Sequence, residues 1–267
     1  MLGDKFFSNF SKFIGQIREN RLNWLPVLAI ILVGLLITQS LSGIGIDFSA
    51  AGIDFLAEGE TSQEAGGAEE VDLSEVSHRD TELEKLIYER QSVRNYQDEE
   101  VSLDKVARIL WSAVGITVDG VTGPTRAAPS AGATDPLVVY LAASNVENLE
   151  EGIYRYHPED HRLSLSAAGD RTVELAQAGL GQAAIQEAPF SLIITADFAR
   201  TTRRYGERGE RYVKIEAGHA AQNANLMAEN LDLSGVLIGA FHDEQVQQVM
   251  GDIPEDPLLI IPLGRRN

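Results

Sequence analysis

Hydrophobic and polar positions follow three different rhythms along this chain. From Trp24 to Ile46 no charged residue appears, and Leu25 to Ile37 is almost wholly apolar. From Asp47 to Asp80 there is no rhythm, only Gly, Ala, Ser and Glu with scattered apolar residues. Beyond residue 81 the pattern alternates between helical and strand spacing. Leu83, Leu86 and Ile87 share one face of a predicted helix over 82–90, and Leu103, Val106, Ile109 and Leu110 share one face of a second over 102–114. Ser102 stands where a helix N-cap is expected. Residues 118–136, rich in Gly, Pro, Thr, Ser and Ala, read as one long loop.

The branched run 137–142 predicts a buried strand, and 152–157 with 162–166 predicts a hairpin turning at Pro158-Glu159-Asp160. Helices are expected over 171–178 and 182–186, a buried strand over 188–197 and a last strand over 258–263. A long helix is expected over 210–231. In it Ala217, Ala221, Ala224 and Ala228 recur at intervals of 4, 3 and 4, so one small-residue face lets a second helix come close. That second helix is either internal or part of another copy of the chain. The class is α+β.

The first rhythm carries a targeting signal. A bilayer-spanning helix takes about 20 apolar residues, and 24–46 meets that length. Lys5, Lys12, Arg18 and Arg21 precede it against Asp4 and Glu19, while 47–80 holds ten acidic residues and one arginine. The positive-inside rule then predicts a cytoplasmic segment at 1–23, a membrane anchor at 24–46, an acidic tether at 47–80, and a globular domain at 81–267 outside the membrane. A cleaved signal peptide ending near Ser49-Ala50-Ala51 is the alternative; the span-length apolar run favours the anchor.

Charge narrows the function. With 22 basic residues against 40 acidic, a formal net charge of -18 gives no purchase on nucleic acid. The absence of cysteine excludes disulfides and thiolate chemistry. Against that background Arg90-Gln91-Ser92-Val93-Arg94 stands out, because alternation in an extended segment turns Arg90, Ser92 and Arg94 the same way, a donor set suited to phosphate. Three other patterns carry less. Gly179-Leu180-Gly181 follows a helix where a dinucleotide fingerprint needs a strand. His157 and His161 flank a turn, and the Ala128–Gly132 stretch lacks the first glycine of a hydrolase elbow.

Five motifs occur in order: Arg-Gln-Ser-Val-Arg at 90–94, Ala-Pro-Ser-Ala-Gly-Ala at 128–133, Glu-Ala-Gly-His-Ala-Ala-Gln-Asn at 216–223, Ile-Gly-Ala-Phe at 238–241 and Pro-Leu-Gly-Arg-Arg at 262–266. Together they resemble the nitroreductase superfamily, and most of all its SagB-type branch, which includes the azoline dehydrogenases. The resemblance implies an α+β fold with a central, mostly antiparallel sheet flanked by helices, and a homodimer with FMN bound between subunits. It assigns Arg90, Ser92, Arg94, Arg265 and Arg266 to the FMN phosphate and ribityl chain. It places Pro129, Ser130, Ala131 and Gly132 along the flavin from the partner subunit, and Ile238 and Gly239 at the ring.

The implied activity is a membrane-anchored oxidoreductase that passes electrons through FMN to or from a small organic or peptide substrate by a ping-pong mechanism. Arg204 and Tyr205 are the candidate catalytic pair, standing where azoline dehydrogenases carry Lys-Tyr. Arginine stays protonated and makes a poor general base, which counts against azoline oxidation. The alternative is a flavin- or ligand-binding sensory domain on the same fold.

Overall fold

The computed structural model describes residues 71–74, 79–120 and 123–267, so the predicted segments 1–23 and 24–46 lie outside the described residues. Among the described residues no helix is long and apolar enough to cross a membrane. Residues Leu73–Asn267 form one compact unit.

Helix α1 (Glu82–Glu89) begins with a capping box, in which Thr81 accepts from the Glu84 N–H and Glu84 accepts from the Thr81 N–H. Helix α2 (Leu103–Val114) follows, although Ser102 makes no side-chain cap bond. The predicted loop 118–136 is partly ordered: β1 (Ile116–Gly120) pairs antiparallel with β2 (Gly123–Arg126), and a 3-10 turn spans Ala131–Ala133. Thr117 and Thr125 join that ribbon by their hydroxyls at 2.8 Å. Threonine suits a strand, a tendency the flanking glycines and proline masked.

The main sheet has six strands in the order β5-β4-β3-β6-β8-β7, each antiparallel to its neighbours. These are β3 (Leu137–Ala143), β4 (Gly152–His157), β5 (Arg162–Ala168), β6 (Phe190–Ala196), β7 (Ser234–Gly235) and β8 (Asp256–Gly264). Alternation along β3 divides the core in two. Val139, Leu141 and Ala143 face α2 and the long helix α6 (Arg208–Asn230). Val138, Tyr140 and Ala142 face α3 (Thr172–Ala178), α4 (Ala183–Glu187) and α7 (Asp243–Val249). Because both faces are covered, every residue of β6 is buried, each large aliphatic side chain contributing roughly 1.5–3 kcal/mol.

The alanine face of α6 packs inside the protomer. Ala217, Ala221, Ala224 and Ala228 join Val106, Ile109, Leu110 and Ala113 of α2 in one core cluster. Helix α5 (Phe198–Tyr205) has a mostly polar sequence, and the Asp197 side chain caps it by accepting from the Ala199 N–H. Gly179 caps α3 and Gly181 takes φ +73, so this glycine pair ends a helix. His157 Nε2 lies 2.7 Å from Ser164 Oγ and His161 Nδ1 lies 2.7 Å from Tyr156 Oη, so the two rings have separate partners.

Candidate functional site

The Arg90–Arg94 segment runs from the end of α1 to the edge of the sheet. Arg90 forms the C-cap of α1, its N–H donating to Leu86 O at 3.0 Å. Ser92 bridges Gly235 of β7, and the Val93 N–H donates to Gly235 O at 3.1 Å. Beyond it Tyr96 pairs with Arg266, and the Gln97 N–H donates to Arg265 O at 2.8 Å. Tyr96 is buried, and its hydroxyl sits 2.8 Å from Val93 O and 3.0 Å from Pro262 O. That phenol ties the first motif to the last across most of the domain's length, and burial pushes its pKa well up.

These bonds bring Arg90, Ser92, Arg94, Arg265 and Arg266 to one region of the molecule. Their guanidinium groups differ in partners. Arg265 Nε lies 3.3 Å from Glu99 Oε2, whereas among the described residues Arg90, Arg94 and Arg266 form no ion pair. In so acidic a chain, cations left without carboxylates suit an anion from outside. Ile238 is fixed on the same sheet, exchanging hydrogen bonds of 2.9 Å in both directions with Ile260. Gly239 beside it is exposed and uncrowded, since a Cβ there would meet only Leu259 Cδ2 at 3.9 Å. The donor set and the open backbone fit a phosphate-bearing planar group such as FMN.

The remaining predicted residues gather elsewhere. Gly132 has φ +61, and Arg204 Nη1 donates to its carbonyl at 2.8 Å. A Cβ on Gly132 would collide with Tyr205 Oη and lie 2.8 Å from Arg204 Nη1. Tyr205 in turn meets Tyr212 edge to face, with ring centroids 5.2 Å apart. So Pro129–Gly132 and Arg204–Tyr205, which the sequence left unconnected, form one assembly. Ser130 Oγ accepts from the Asp135 N–H at 2.9 Å, which closes the turn.

Strand register separates the two groups. Leu137, just after the loop, pairs with Ala196, and Ala196 pairs with Asp256. Ser92 and Gly235 align with Leu263, which pairs with Phe190 at the opposite end of β6. From Asp256 to Leu263, at 3.3 Å per residue, is about 23 Å.

Sequence reasoning passed over Glu216 within its motif. The residue is 5% exposed, and Oε2 has no hydrogen-bond partner among the described residues. Burial pushes its pKa up to about 7 and Asp135 adds to this, while the Ser130 hydroxyl, the Ala131 N–H and Arg126 act the other way. The available signal was a glutamate on the same face as Ala217, Ala220 and Ala221.

Known proteins bear on this arrangement. The Nitroreductase family profile matches residues 87–265. A nitroreductase-family protein of Methanocaldococcus jannaschii, MJ1384, is 41% identical over 201 residues, covering 75% of this chain and 98% of that protein. The Microcin B17-processing protein McbC of Escherichia coli is 27% identical over 130 residues, covering 47% of this chain and 48% of its own. A Ralstonia eutropha structure of the nitroreductase type superposes with TM-score 0.61 at 27% identity, covering 74% of this chain and 87% of that one.

Proposed function

Because the chain belongs to the nitroreductase family and is therefore an oxidoreductase by class, we propose that it is an FMN-dependent enzyme whose site is completed by a second copy of itself. The observation that carries the reading is that Arg90, Arg94 and Arg266, which form no ion pair among the described residues, are brought to one sheet edge by the Tyr96 bonds. Bound there, FMN would supply reversible two-electron transfer, the protein contributing position and hydrogen-bond donors.

Arg90, Ser92, Arg94 and Arg266 would hold the phosphate end, with Arg265 in reserve behind its Glu99 pair. Gly239 leaves its backbone open to a flat ring, and Ile238 is rigidly paired below it. Arg204 acts on the loop: by holding the Gly132 carbonyl it fixes the shape of Pro129–Gly132. Donor and acceptor substrates would use the site in turn.

The register supports a dimer. Within one protomer the Pro129–Gly132 loop and the Ser92 region lie at opposite ends of the sheet, so a site using both draws the loop from a partner. Exposed apolar side chains are available for such a seam: α1 shows Leu83 and Ile87 at 58% and 53% exposure, and Ile215 on α6 is also exposed. The anchor at 24–46 and the outward placement of the domain rest on the sequence pattern.

The test is direct. The purified full-length protein should be yellow, dimeric, and should release FMN on denaturation. A colourless monomer that ignores added FMN would refute the reading. One observation favours a binding role without turnover: the Arg204 guanidinium is committed to Gly132, and the pair offers no general base. Anaerobic reduction followed by reoxidation with an organic acceptor separates the two, because a sensory domain would not turn over.

A further inference from the structure

The loop before β3 is held in an unfavourable backbone shape. Gly132, Ala133 and Asp135 take φ 61, 51 and 44, a left-handed region that strains the two residues carrying a Cβ. Side chains of two helices hold it there. From α5, Arg204 Nη1 donates to Gly132 O at 2.8 Å, Arg200 Nη1 donates to Asp135 O at 2.6 Å, and the Thr201 hydroxyl lies 2.8 Å from that of Thr134. From α6, Asn223 Nδ2 donates to Ala127 O at 3.1 Å. These arginines and this amide give donors to loop carbonyls. Glu216, buried on α6, works the other way, its carboxyl accepting from the Ser130 hydroxyl and the Ala131 N–H. Ser130 Oγ in turn accepts from the Asp135 N–H at 2.9 Å, so one carboxyl reaches both ends of the turn.

We propose that Glu216 is the positioning residue of the 129–135 loop: protonated, it fastens the loop from beneath, and ionised, it favours the loop's opening. The inference rests on the FMN reading only for what the loop touches, a flavin held by the partner subunit. Arg200, Arg204 and Asn223 keep one charge state across the neutral range. Among these fasteners Glu216 alone answers to pH.

With the loop closed, Glu216 Oε2 is buried without a hydrogen-bond partner among the described residues. A neutral carboxyl tolerates that, whereas a carboxylate does so at a cost that opening relieves by admitting water. Burial pushes the pKa up to about 7 and Asp135 adds to this, while Ser130, Ala131 and Arg126 oppose it. Arg155, His157, Glu159 and Arg200 line the cavity beside it. Of these, Glu159 is paired with Arg126 at 2.8 Å, and burial, then Arg162 and Arg155, keep the His157 pKa below its ordinary value. The closed state therefore holds the Glu216 proton more tightly than an exposed carboxyl would, so closure is strongest below pH 7 and weakens as pH rises. Between pH 6 and pH 8 the opening constant should grow about tenfold.

The experiment follows amide hydrogen exchange of the full-length protein at pH 6, 7 and 8, corrected for intrinsic rates, with the N–H groups of Ala131, Ala133 and Asp135 as reporters. In the parent their opening constant should rise about tenfold over that range. Glu216→Gln, which keeps the shape and the acceptor but cannot ionise, should hold the loop closed at every pH. It also leaves the surrounding charged groups in place, so a pH dependence surviving in it would belong to them and overturn the proposal. Glu216→Ala should open the loop at every pH. A carboxyl with a merely structural role would lower the protection of β3 and β6 with rising pH and leave the faster local opening of the loop unchanged; that result, or a Gln variant as loose as the Ala variant, also overturns it. Flavin fluorescence adds the link to the cofactor: FMN affinity should fall in Glu216→Ala and persist in Glu216→Gln. Equal affinity in the two, with the loop loosened in only one, would sever the loop from the flavin and overturn the positioning role. A colourless protein would refute the FMN reading, and hydrogen exchange would still decide what Glu216 does to the loop.

Discussion

The guanidinium of Arg204 donates to the carbonyl of Gly132 at 2.8 Å, although 72 residues separate them in sequence. This bond joins the 3-10 turn that precedes β3 to the end of α5. It also fixes the left-handed backbone of Gly132, where φ +61 strains any residue with a Cβ. Gly132→Ala should therefore disturb the loop more than the core, costing about 1–2 kcal/mol from backbone strain alone and more from the collision with Tyr205. Faster proteolysis or amide exchange confined to 126–136, with near-normal circular dichroism, is the expected outcome.

The cations at the sheet edge should divide into two kinds. Arg90→Ala and Arg94→Ala should each weaken FMN binding by roughly ten- to a hundredfold, since a hydrogen bond to a charged group contributes about 1.5–3 kcal/mol. Arg265→Ala should change it about fivefold or less, because Glu99 already engages that side chain in a surface pair. Flavin fluorescence titration measures all three. Equal losses across the set would mean that the Glu99 pair opens when the cofactor binds.

Glu216 should make stability depend on pH in an unusual direction. Its folded pKa of about 7 lies above the ordinary 4.5, because burial disfavours the charged form. Its contribution is complete below about pH 4.5, where both folded and unfolded chains hold the proton, and is lost as pH rises through 7. The loss is on the order of 3 kcal/mol. Urea unfolding of Glu216→Gln should show that dependence removed, with the variant more stable than the parent at pH 8. A parent curve that strengthens from pH 5 to pH 8 in step with the variant would contradict it.

The exposed face of α1 bears on assembly. Replacing Leu83 and Ile87 together by Glu should leave the fold intact, since neither side chain is buried in the protomer. Sedimentation should then show a shift from dimer to monomer, and FMN retention should fall with it. Unchanged sedimentation would place the seam on another surface.

Much of the fold was legible because it rests on local pattern. The apolar runs of β3 and β6 are buried on both faces, so they read as continuous hydrophobic strands, and α2 shows its core side at helical spacing. Helix α5 escaped because its sequence is mostly polar and only Thr201 of its residues is buried. The β1–β2 ribbon escaped because its glycines and proline read as loop. The alanine face of α6 announced a close helix neighbour, but its identity as α2 depended on how the chain returns across the sheet.

By itself the sequence determined the class, the order of the strongly patterned elements and a short list of residues whose chemistry suits a phosphate, since each depends on residue type and near-neighbour spacing. Tertiary structure alone decided which of those residues meet. Strand register sent the Ser92 edge and the Gly132 loop to opposite ends of β6, and packing buried the Glu216 carboxyl with one oxygen, Oε2, left without a partner among the described residues. Such relations come from contacts between residues far apart in the chain, and local propensity holds no record of them.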